Sequence, residues 1–280
     1  MTADSVDPDP ATALRRILSE RFGEDLEVPA GLDGLDELLR MAAHATHRAW
    51  TDRPVEPALV RLLAACALSA PSKSFLQQAD VIDVREPSLR AAVQTLVPSM
   101  PWMADAGALL VFCGDGRRFR RLFERRGLPF ENEHLDGFFN PTVDAALVLM
   151  NFVRAAEAVG LGCCPISVLR DRAAQLADLL ALPRHVFPVA GLCVGWPSQP
   201  RAPTPRLPLA ATLHVDRFGD ASPDPLTDAF DARFVAARAR VLPPGAPPPA
   251  TWSEERVRQY ASSQRADWGA FVRDRGFGTD

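Results

Sequence analysis

The stretch from Asn140 to Gly160 limits the folds open to this chain more than any other segment. Asn140 is suited to cap a helix, Pro141 suits the first helical position, and Gly160 can end it. Between them the other faces are rich in alanine and valine, and larger apolar residues recur at helical spacing: Val143, Leu147, Met150 and Val153 or Arg154. Because a helix that is apolar nearly all round must be buried, we predict a long helix at the centre of the molecule.

Shorter elements surround this helix. Apolar or β-branched runs predict strands at Val81–Val84, Ala108–Cys113 and Val186–Val194. A helix after Pro57 has a predicted core face of Leu59, Leu62, Leu63, Cys66 and Ala67. Further helices are predicted for 11–21, from an Asp33 cap to Ala43, for 170–180, for 226–240, and from a Thr251 cap to about 273. The first ten residues are expected to be disordered. Helices mixed with few strands indicate an α+β or α/β protein.

Composition excludes several classes of protein. With 31 Lys+Arg against 35 Asp+Glu, the net charge of −4 argues against a nucleic-acid binder. No window of about 18 apolar residues predicts a membrane span, and the acidic, proline-rich start is not a secretory signal. Five cysteines are too few for a disulfide scaffold, which favours reduced thiols and a cytoplasmic protein. The adjacent Cys163 and Cys164 leave a redox pair or a metal site as the alternative.

No nucleophile, metal or phosphate-loop motif is present in the sequence, so the chemistry of an enzyme would belong to a bound cofactor. Four irregular segments carry arginines, hydroxyls and backbone N–H groups that suit a phosphorylated ligand. They are His44–Val55, Ala70–Gln77, Gly160–Ser167 and Pro205–Pro208. The alternative is that they are ordinary loops. The basic run Arg117–Arg126 is interpreted as a solvated helix face, with anion binding as the alternative.

Several short segments follow one another in a fixed order over most of the chain: Ser74–Gln77, Gly160–Gly162, Leu182–Pro188, Gly191–Pro197, Arg206–Pro208 and Thr251–Ser253. Together they resemble the nitroreductase superfamily of FMN enzymes. The resemblance implies an α+β fold with a central mixed sheet flanked by helices. It also implies an intertwined homodimer with FMN in each of two interface clefts. Residues 1–40 would be a partly disordered, helical N-terminal extension, and residues 41–280 the FMN domain with a C-terminal excursion.

The resemblance further implies the activity. Members reduce nitroaromatics, quinones or free flavin by ping-pong hydride transfer from NADPH or NADH through FMN, so a small-molecule electron acceptor is expected. No metal is implied. Two alternatives stay open: a flavin-dependent tailoring dehydrogenase or oxidase that does not use nicotinamide, and a non-enzymatic relative that binds a ligand in the same cleft.

The family's binding residues can be carried over by position. His44, Thr46 and Arg48 match its phosphate and ribityl segment. The segment that lines the flavin and ribityl chain is matched by Ser72, Ser74 and Gln77. Ile166 and Ser167 match a stretch whose backbone N–H faces the reactive edge of the ring. Arg206 matches a late arginine that reaches the phosphate, and we expect Arg48 and Arg206 to hold it together.

Three positions depart from the family pattern. Ala45 replaces an arginine, Thr204 replaces a lysine, and Met100 replaces a glutamine near the polar edge of the ring. Lys73 or His47 is a candidate to replace the lost charge. The loop 242–250, where NADPH-preferring relatives carry cations, has none here, and the basic run 117–126 is a candidate substitute.

Overall fold

The computed structural model describes residues 9–219 and 223–280. In chain order the helices are α1 (Pro10–Phe22), α2 (Leu35–Ala43), α3 (Pro57–Leu68), α4 (Pro87–Thr95), α5 (Arg117–Glu124), α6 (Asp136–Ala158), α7 (Ala173–Leu179), α8 (Pro223–Ala239), α9 (Trp252–Tyr260) and α10 (Trp268–Asp274). The strands are β1 (Ala79–Asp83), β2 (Ala108–Asp115), β3 (Gly162–Ile166) and β4 (Val186–Gly195). The predicted disorder of residues 1–8 lies outside the described residues, and Asp9 caps α1.

The chain divides into two compact units. The sheet unit contains Thr46–Arg201 and Gln264–Asp280. The helical unit contains the described residues up to Ala45 together with Ala202–Ser263, except for 220–222. Each unit is built from two separate stretches of the chain. The predicted division into domains 1–40 and 41–280 is of a different kind and stays a prediction.

The sheet has the strand order β1-β2-β4-β3, and every pair of these strands is antiparallel. A mixed sheet also requires parallel pairing. Among the described residues, that pairing is an isolated parallel bridge between Thr46 and Cys163. Every residue of β2 is buried, so both faces of the sheet are covered at its centre. Pro188 of β4 has no N–H to donate, and the β2–β4 register shifts beside it, between Phe112 and Cys113.

The central helix is longer than predicted. α6 contacts all four strands, and the ring of Phe152 packs on that of Phe112 at 5.9 Å. It begins at Asp136, so Asn140 is not its cap and Pro141 lies inside it, which corrects the prediction. The extra turn is stabilised by Phe138, whose ring lies 4.6 Å from that of Phe187. Tertiary packing therefore outweighs the missing N–H of Pro141.

Other elements need smaller corrections. Asp33 does not cap α2, because Gly34 occupies that position with a φ of 76°. The predicted C-terminal helix is two helices, α9 and α10, although Thr251 does cap the first in a complete capping box. In α3 the buried residues are Val60, Leu63 and Ala67. Leu62 and Cys66 of the predicted core face are exposed.

The helical unit is held by a buried arginine and by packing between its last two helices. In α8, Phe230 packs edge-on against Trp252 of α9, and Asp231 accepts hydrogen bonds from the backbone and hydroxyl of Ser253. Arg21 of α1 is only 5% exposed, and its guanidinium donates to three carbonyl groups. Among the helices that the structure describes, none combines the length and apolar character needed to span a bilayer.

Candidate functional site

The segment Thr46–Arg48 lies along the edge strand β3. Thr46 bridges Cys163, and the His47 N–H donates to the Cys163 carbonyl at 2.9 Å. A glycine is required opposite this segment, because a Cβ on Gly162 would lie 2.7 Å from Cγ of His47. The His47 side chain therefore packs directly on Gly162, and this contact holds the Thr46–Arg48 segment against the strand.

Arg48 is the principal cation of this edge. Its guanidinium lies 5.8 Å from the centre of the Trp102 ring. Burial raises the pKa of the Cys164 thiol, and the adjacent Arg48 guanidinium, which hydrogen-bonds that thiol, opposes the rise. Within the described residues Arg48 forms no ion pair with a carboxylate. An exposed guanidinium without a carboxylate partner is suited to bind an oxyanion.

The other end of β3 carries Ile166 and Ser167. Ile166 is buried at the last position of the strand, and Ser167 is exposed at the start of a 3₁₀ turn. Ile166 lies three positions after Cys163, so this end lies about 10 Å along the strand from the Thr46 bridge. Thr46, Arg48, Ile166 and Ser167 thus form a first group, the β3-edge group.

The remaining candidates of the sheet unit lie on the loop between α3 and β1. Ser74, Phe75 and Gln77 have φ values of 48°, 61° and 52°, a left-handed backbone that non-glycine residues rarely adopt. Ser72 supports the loop through its hydroxyl, which accepts the Gln77 N–H at 3.2 Å. Ser72, Ser74 and Gln77 form the β1-edge group. Three such residues in four positions are a concentration of backbone strain of the kind found at functional sites.

A buried carboxylate holds this loop. Asp144 of α6 is 1% exposed, and it accepts the N–H of Lys73 at 2.9 Å and the N–H of Gln78 at 3.0 Å. Sequence reasoning missed Asp144. The available signal was a carboxylate in the apolar middle of the helix, which must find donors when it is buried. Lys73 itself faces Asp136, at 3.8 Å from Nζ to Oδ2, so it is not free to replace the charge lost at Ala45.

The β1-edge loop forms one wall of a cavity of about 1080 Å³, and α5 supplies another. Ser72 and Gln77 line the cavity, as do the aromatic rings of Phe75 and Phe119. A smaller cavity of about 220 Å³ adjoins Lys73 and Ser74. The β1 edge therefore combines apolar surface, hydroxyl and amide groups around a space large enough for a nucleotide.

Within one chain the two groups are far apart. The Thr46 bridge adjoins β3 and the Ser72–Gln77 loop leads into β1, and these strands are the opposite edges of the sheet. Three inter-strand spacings separate the edges, about 14 Å across the sheet. The sheet unit therefore places Thr46, Arg48, Ile166 and Ser167 along one edge of the sheet. Ser72, Ser74 and Gln77 lie at the opposite edge.

The helical unit contains the other two candidates, His44 and Arg206, and Arg21 holds both segments. The Arg21 guanidinium donates to the carbonyls of Ala42 and His44 and, at 3.1 Å, to that of Thr204. The Arg206 N–H donates to the Arg21 carbonyl at 2.6 Å, and Arg206 Nη1 donates to the Thr204 hydroxyl at 2.8 Å. Arg21 lies in the predicted N-terminal extension, residues 1–40. Thr204, in place of a lysine, orients Arg206 through a neutral hydrogen bond.

These donors fit FMN by their chemistry. Arg48 and Arg206 form no ion pair among the described residues and are suited to a phosphate monoester. The hydroxyls of Thr46, Ser72 and Ser74 suit a polyol, and the amide of Gln77 suits a ring with donors and acceptors at its edge. The adjacent Cys163 and Cys164 are both buried. As successive residues of a strand they face opposite sides of the sheet, so they do not form a redox pair.

Comparison with known proteins identifies the family of the chain. The Nitroreductase family profile matches residues 41–196, and the profile of its C-terminal domain matches residues 204–280. The chain is 33% identical over 194 residues to the oxygen-insensitive NADPH nitroreductase of Salmonella typhimurium, a match that covers 69% of this chain and 77% of that protein. It is 27% identical over 246 residues to FMN reductase (NADPH) of Bacillus subtilis, with 84% and 95% covered.

A solved structure gives the same result for the fold. NfrA2 of B. megaterium superposes with a TM-score of 0.82 at 28% identity, over 88% of this chain and 99% of that one. The α+β, nitroreductase-like fold predicted from the sequence is thereby confirmed, as is the resemblance on which that prediction rested. The chain belongs to the nitroreductase family of oxidoreductases.

Proposed function

We propose that this protein is an FMN-dependent NAD(P)H oxidoreductase that reduces nitroaromatic, quinone or flavin acceptors by ping-pong hydride transfer. The observation that carries the proposal is the position of Arg48, whose guanidinium has no carboxylate partner among the described residues and lies on a strand edge that carries hydroxyl and N–H groups. Relatives named as an NADPH nitroreductase and an NADPH-dependent FMN reductase support the same chemistry.

The proposal gives each residue a role toward the cofactor. Arg48 and Arg206 hold the phosphate, and His44 and Thr46 hold the phosphate end and the ribityl chain. Ser72, Ser74 and Gln77 line the flavin and ribityl chain, and the backbone at Ile166–Ser167 faces the reactive edge of the ring. Bound FMN supplies the hydride chemistry between the nicotinamide and the acceptor. The protein binds, orients and shields it from water.

We propose that the active form is a homodimer. The β3-edge and β1-edge groups lie at opposite edges of one sheet, so a second chain is needed for both groups to contact one cofactor. α6 also exposes a stripe of apolar residues at a spacing of about one helical turn: Phe139, Val143, Leu147 and Met150. Leu62 of α3 is 59% exposed as well. A row of exposed apolar side chains along one helix is typical of a subunit interface.

The proposed compartment is the cytoplasm. All five cysteines are free thiols, and four of them are buried. Burial raises the pKa of the Cys113 thiol to about 12, so the thiol is unreactive at neutral pH. Free thiols of this kind are typical of proteins in reducing compartments.

An absorbance spectrum of the purified full chain, followed by anaerobic addition of NADPH or NADH, tests the proposed function. We expect a flavin spectrum that either nicotinamide bleaches and that a nitroaromatic, a quinone or free flavin restores. Sedimentation equilibrium should give the mass of two chains. A flavin that stays oxidised with both nicotinamides would overturn the proposal and point to an organic hydride donor. A colourless protein that FMN fails to saturate would point to a ligand-binding relative.

A further inference from the structure

The basic run Arg117–Arg126 separates into two functional halves. Three of its arginines are neutralised by carboxylates: Arg117 by Asp115, Arg118 by Asp80 and Asp115, and Arg120 by Glu133. Arg120 makes a two-pronged contact, with nitrogen–oxygen distances of 2.6 and 2.7 Å. These contacts fix α5 and the segment after it against the sheet, so this half of the run is structural.

The cavity of about 1080 Å³ is lined by Arg118, which is already paired, and by two arginines of the other half. Arg121 and Arg125 both line it, and within the described residues neither forms an ion pair. The Arg125 N–H donates to the Arg121 carbonyl at 3.0 Å, which places the two residues one helical turn apart. Side chains at that spacing are neighbours on one helix face. Two guanidinium groups can therefore reach a single anion.

The remaining charges of the cavity do not cancel this pair. Asp80 is matched by Arg118, and Asp144 accepts two backbone N–H groups. Glu124 is the other carboxylate in the wall and is exposed. Two cations against one unmatched carboxylate leave the α5 side of the cavity positive, which favours an anionic ligand.

The rest of the wall suits an aromatic ligand. Phe75 is 82% exposed and Leu122 is 48% exposed, and both line the cavity together with Phe119. Apolar surface of this kind is available to stack on a flat ring. Ser72 and Gln77, which we assign to the flavin, line the same space. A ligand held here would therefore lie next to the cofactor.

We propose that Arg121 and Arg125 bind the terminal phosphate monoester of a substrate and so set its selection. The inference rests on the proposed function. Two sources share this chemistry: the 2′-phosphate of NADPH, and the 5′-phosphate of free FMN as the acceptor. A phosphate monoester carries close to two negative charges at neutral pH, which two guanidinium groups match.

The holoenzyme with Arg121→Ala and Arg125→Ala, singly and together, tests the assignment. Arg126→Ala is the matched control, because Arg126 is a neighbouring exposed arginine that does not line the cavity. For the double variant we expect kcat/KM to fall at least about tenfold for NADPH relative to NADH, or for FMN relative to riboflavin. A fall in the NADPH to NADH ratio identifies the 2′-phosphate of NADPH as the ligand, and a fall in the FMN to riboflavin ratio identifies the 5′-phosphate of FMN. Glu124→Gln should move the same ratio in the opposite direction.

A binding measurement keeps the test independent of turnover. Calorimetric titration with adenosine 2′,5′-bisphosphate and with 5′-AMP should lose its preference for the bisphosphate in the double variant if the phosphate is that of NADPH. Bound FMN should stay at the wild-type level in every variant, and a variant that loses FMN would contradict the assignment of the two arginines to a substrate. A wild-type protein that binds no flavin would count against the proposed function instead. If both kcat/KM ratios stay unchanged, the assignment is overturned.

Discussion

The two edges of the sheet carry the two groups of candidate residues, and they are built in different ways. At the β3 edge, strand-like pairing holds Thr46 and His47 on Cys163, and Arg48 projects without a carboxylate partner among the described residues. At the β1 edge, Ser74, Phe75 and Gln77 adopt left-handed backbone, and one buried carboxylate holds them. The first edge is held by backbone pairing, whereas the second is held by side chains, with Asp144 accepting two of the backbone N–H groups.

The largest expected effect is therefore at the β1 edge. Asp144→Ala leaves the N–H groups of Lys73 and Gln78 without their acceptor, and we expect it to lower the free energy of unfolding by about 2–4 kcal/mol. Urea denaturation measures the change. Ser72→Ala, which removes one neutral hydrogen bond of the same loop, should cost about 1 kcal/mol. Equal costs for the two variants would contradict a single-carboxylate support.

Arg48→Ala should have the largest effect on cofactor binding. Loss of a charge-assisted contact to phosphate costs about 1.5–3 kcal/mol, which is about a tenfold to hundredfold loss of FMN affinity. The flavin content after purification and a fluorescence titration with FMN measure it. Arg85→Ala is the control, because Arg85 is an exposed arginine paired with Asp83. Full flavin content in Arg48→Ala would remove this residue from the phosphate site.

Gly162→Ala perturbs the β3 edge through the side chains that pack on this glycine. The added Cβ would lie 2.7 Å from Cγ of His47 and 2.8 Å from Cγ of Pro197, so the segment before Arg48 must shift. We expect a loss of about 1–3 kcal/mol in unfolding free energy, together with weaker FMN binding. Gly269→Ala is the control, because its Cβ would make an ordinary contact of 3.5 Å. A Gly162→Ala protein of wild-type stability would mean that the segment is loosely held.

The smallest expected effect depends on pH. The hydrogen bond from Arg120 lowers the pKa of Glu133, so this carboxylate stabilises the fold above its unfolded-state pKa of about 4.3. That contribution is lost as pH falls through the lower pKa of the folded state. Glu133→Gln should therefore be less stable than wild type near pH 7, and the difference should disappear toward pH 3. Urea midpoints across this range measure it.

Glu131→Gln serves as the control for that series. Glu131 belongs to no ion pair in the part of the chain that the structure describes, so its replacement should leave the pH profile unchanged. A Glu133→Gln protein whose stability follows wild type at every pH would mean that the contact with Arg120 contributes nothing to the fold.

The elements predicted correctly from the sequence are those that depend on local pattern. The apolar run at Ala108 identified β2, and Thr251 with Glu254 identified the start of α9. Both signals are contained in a few neighbouring residues. The family motifs identified the fold because many short matches occur in one order, and the comparisons confirm it.

The features that were missed depend on contacts distant in sequence. β3 has the composition of a loop, and its pairing with β4 makes it a strand. α6 begins before Pro141 because Phe138 packs on Phe187, 49 positions later. Asp144 and Arg21 act on backbone groups far along the chain, at Gln78 and Thr204. A local sequence pattern does not predict contacts between residues so far apart in the chain.

The left-handed loop held by Asp144 has a consequence for affinity. Its unfavourable backbone angles are imposed when the chain folds, by a carboxylate that belongs to the core. The conformational entropy of that loop is therefore already lost before any ligand arrives. A cofactor that meets Ser72 and Gln77 gains their contacts without having to order them, so preorganisation increases its affinity without additional contacts.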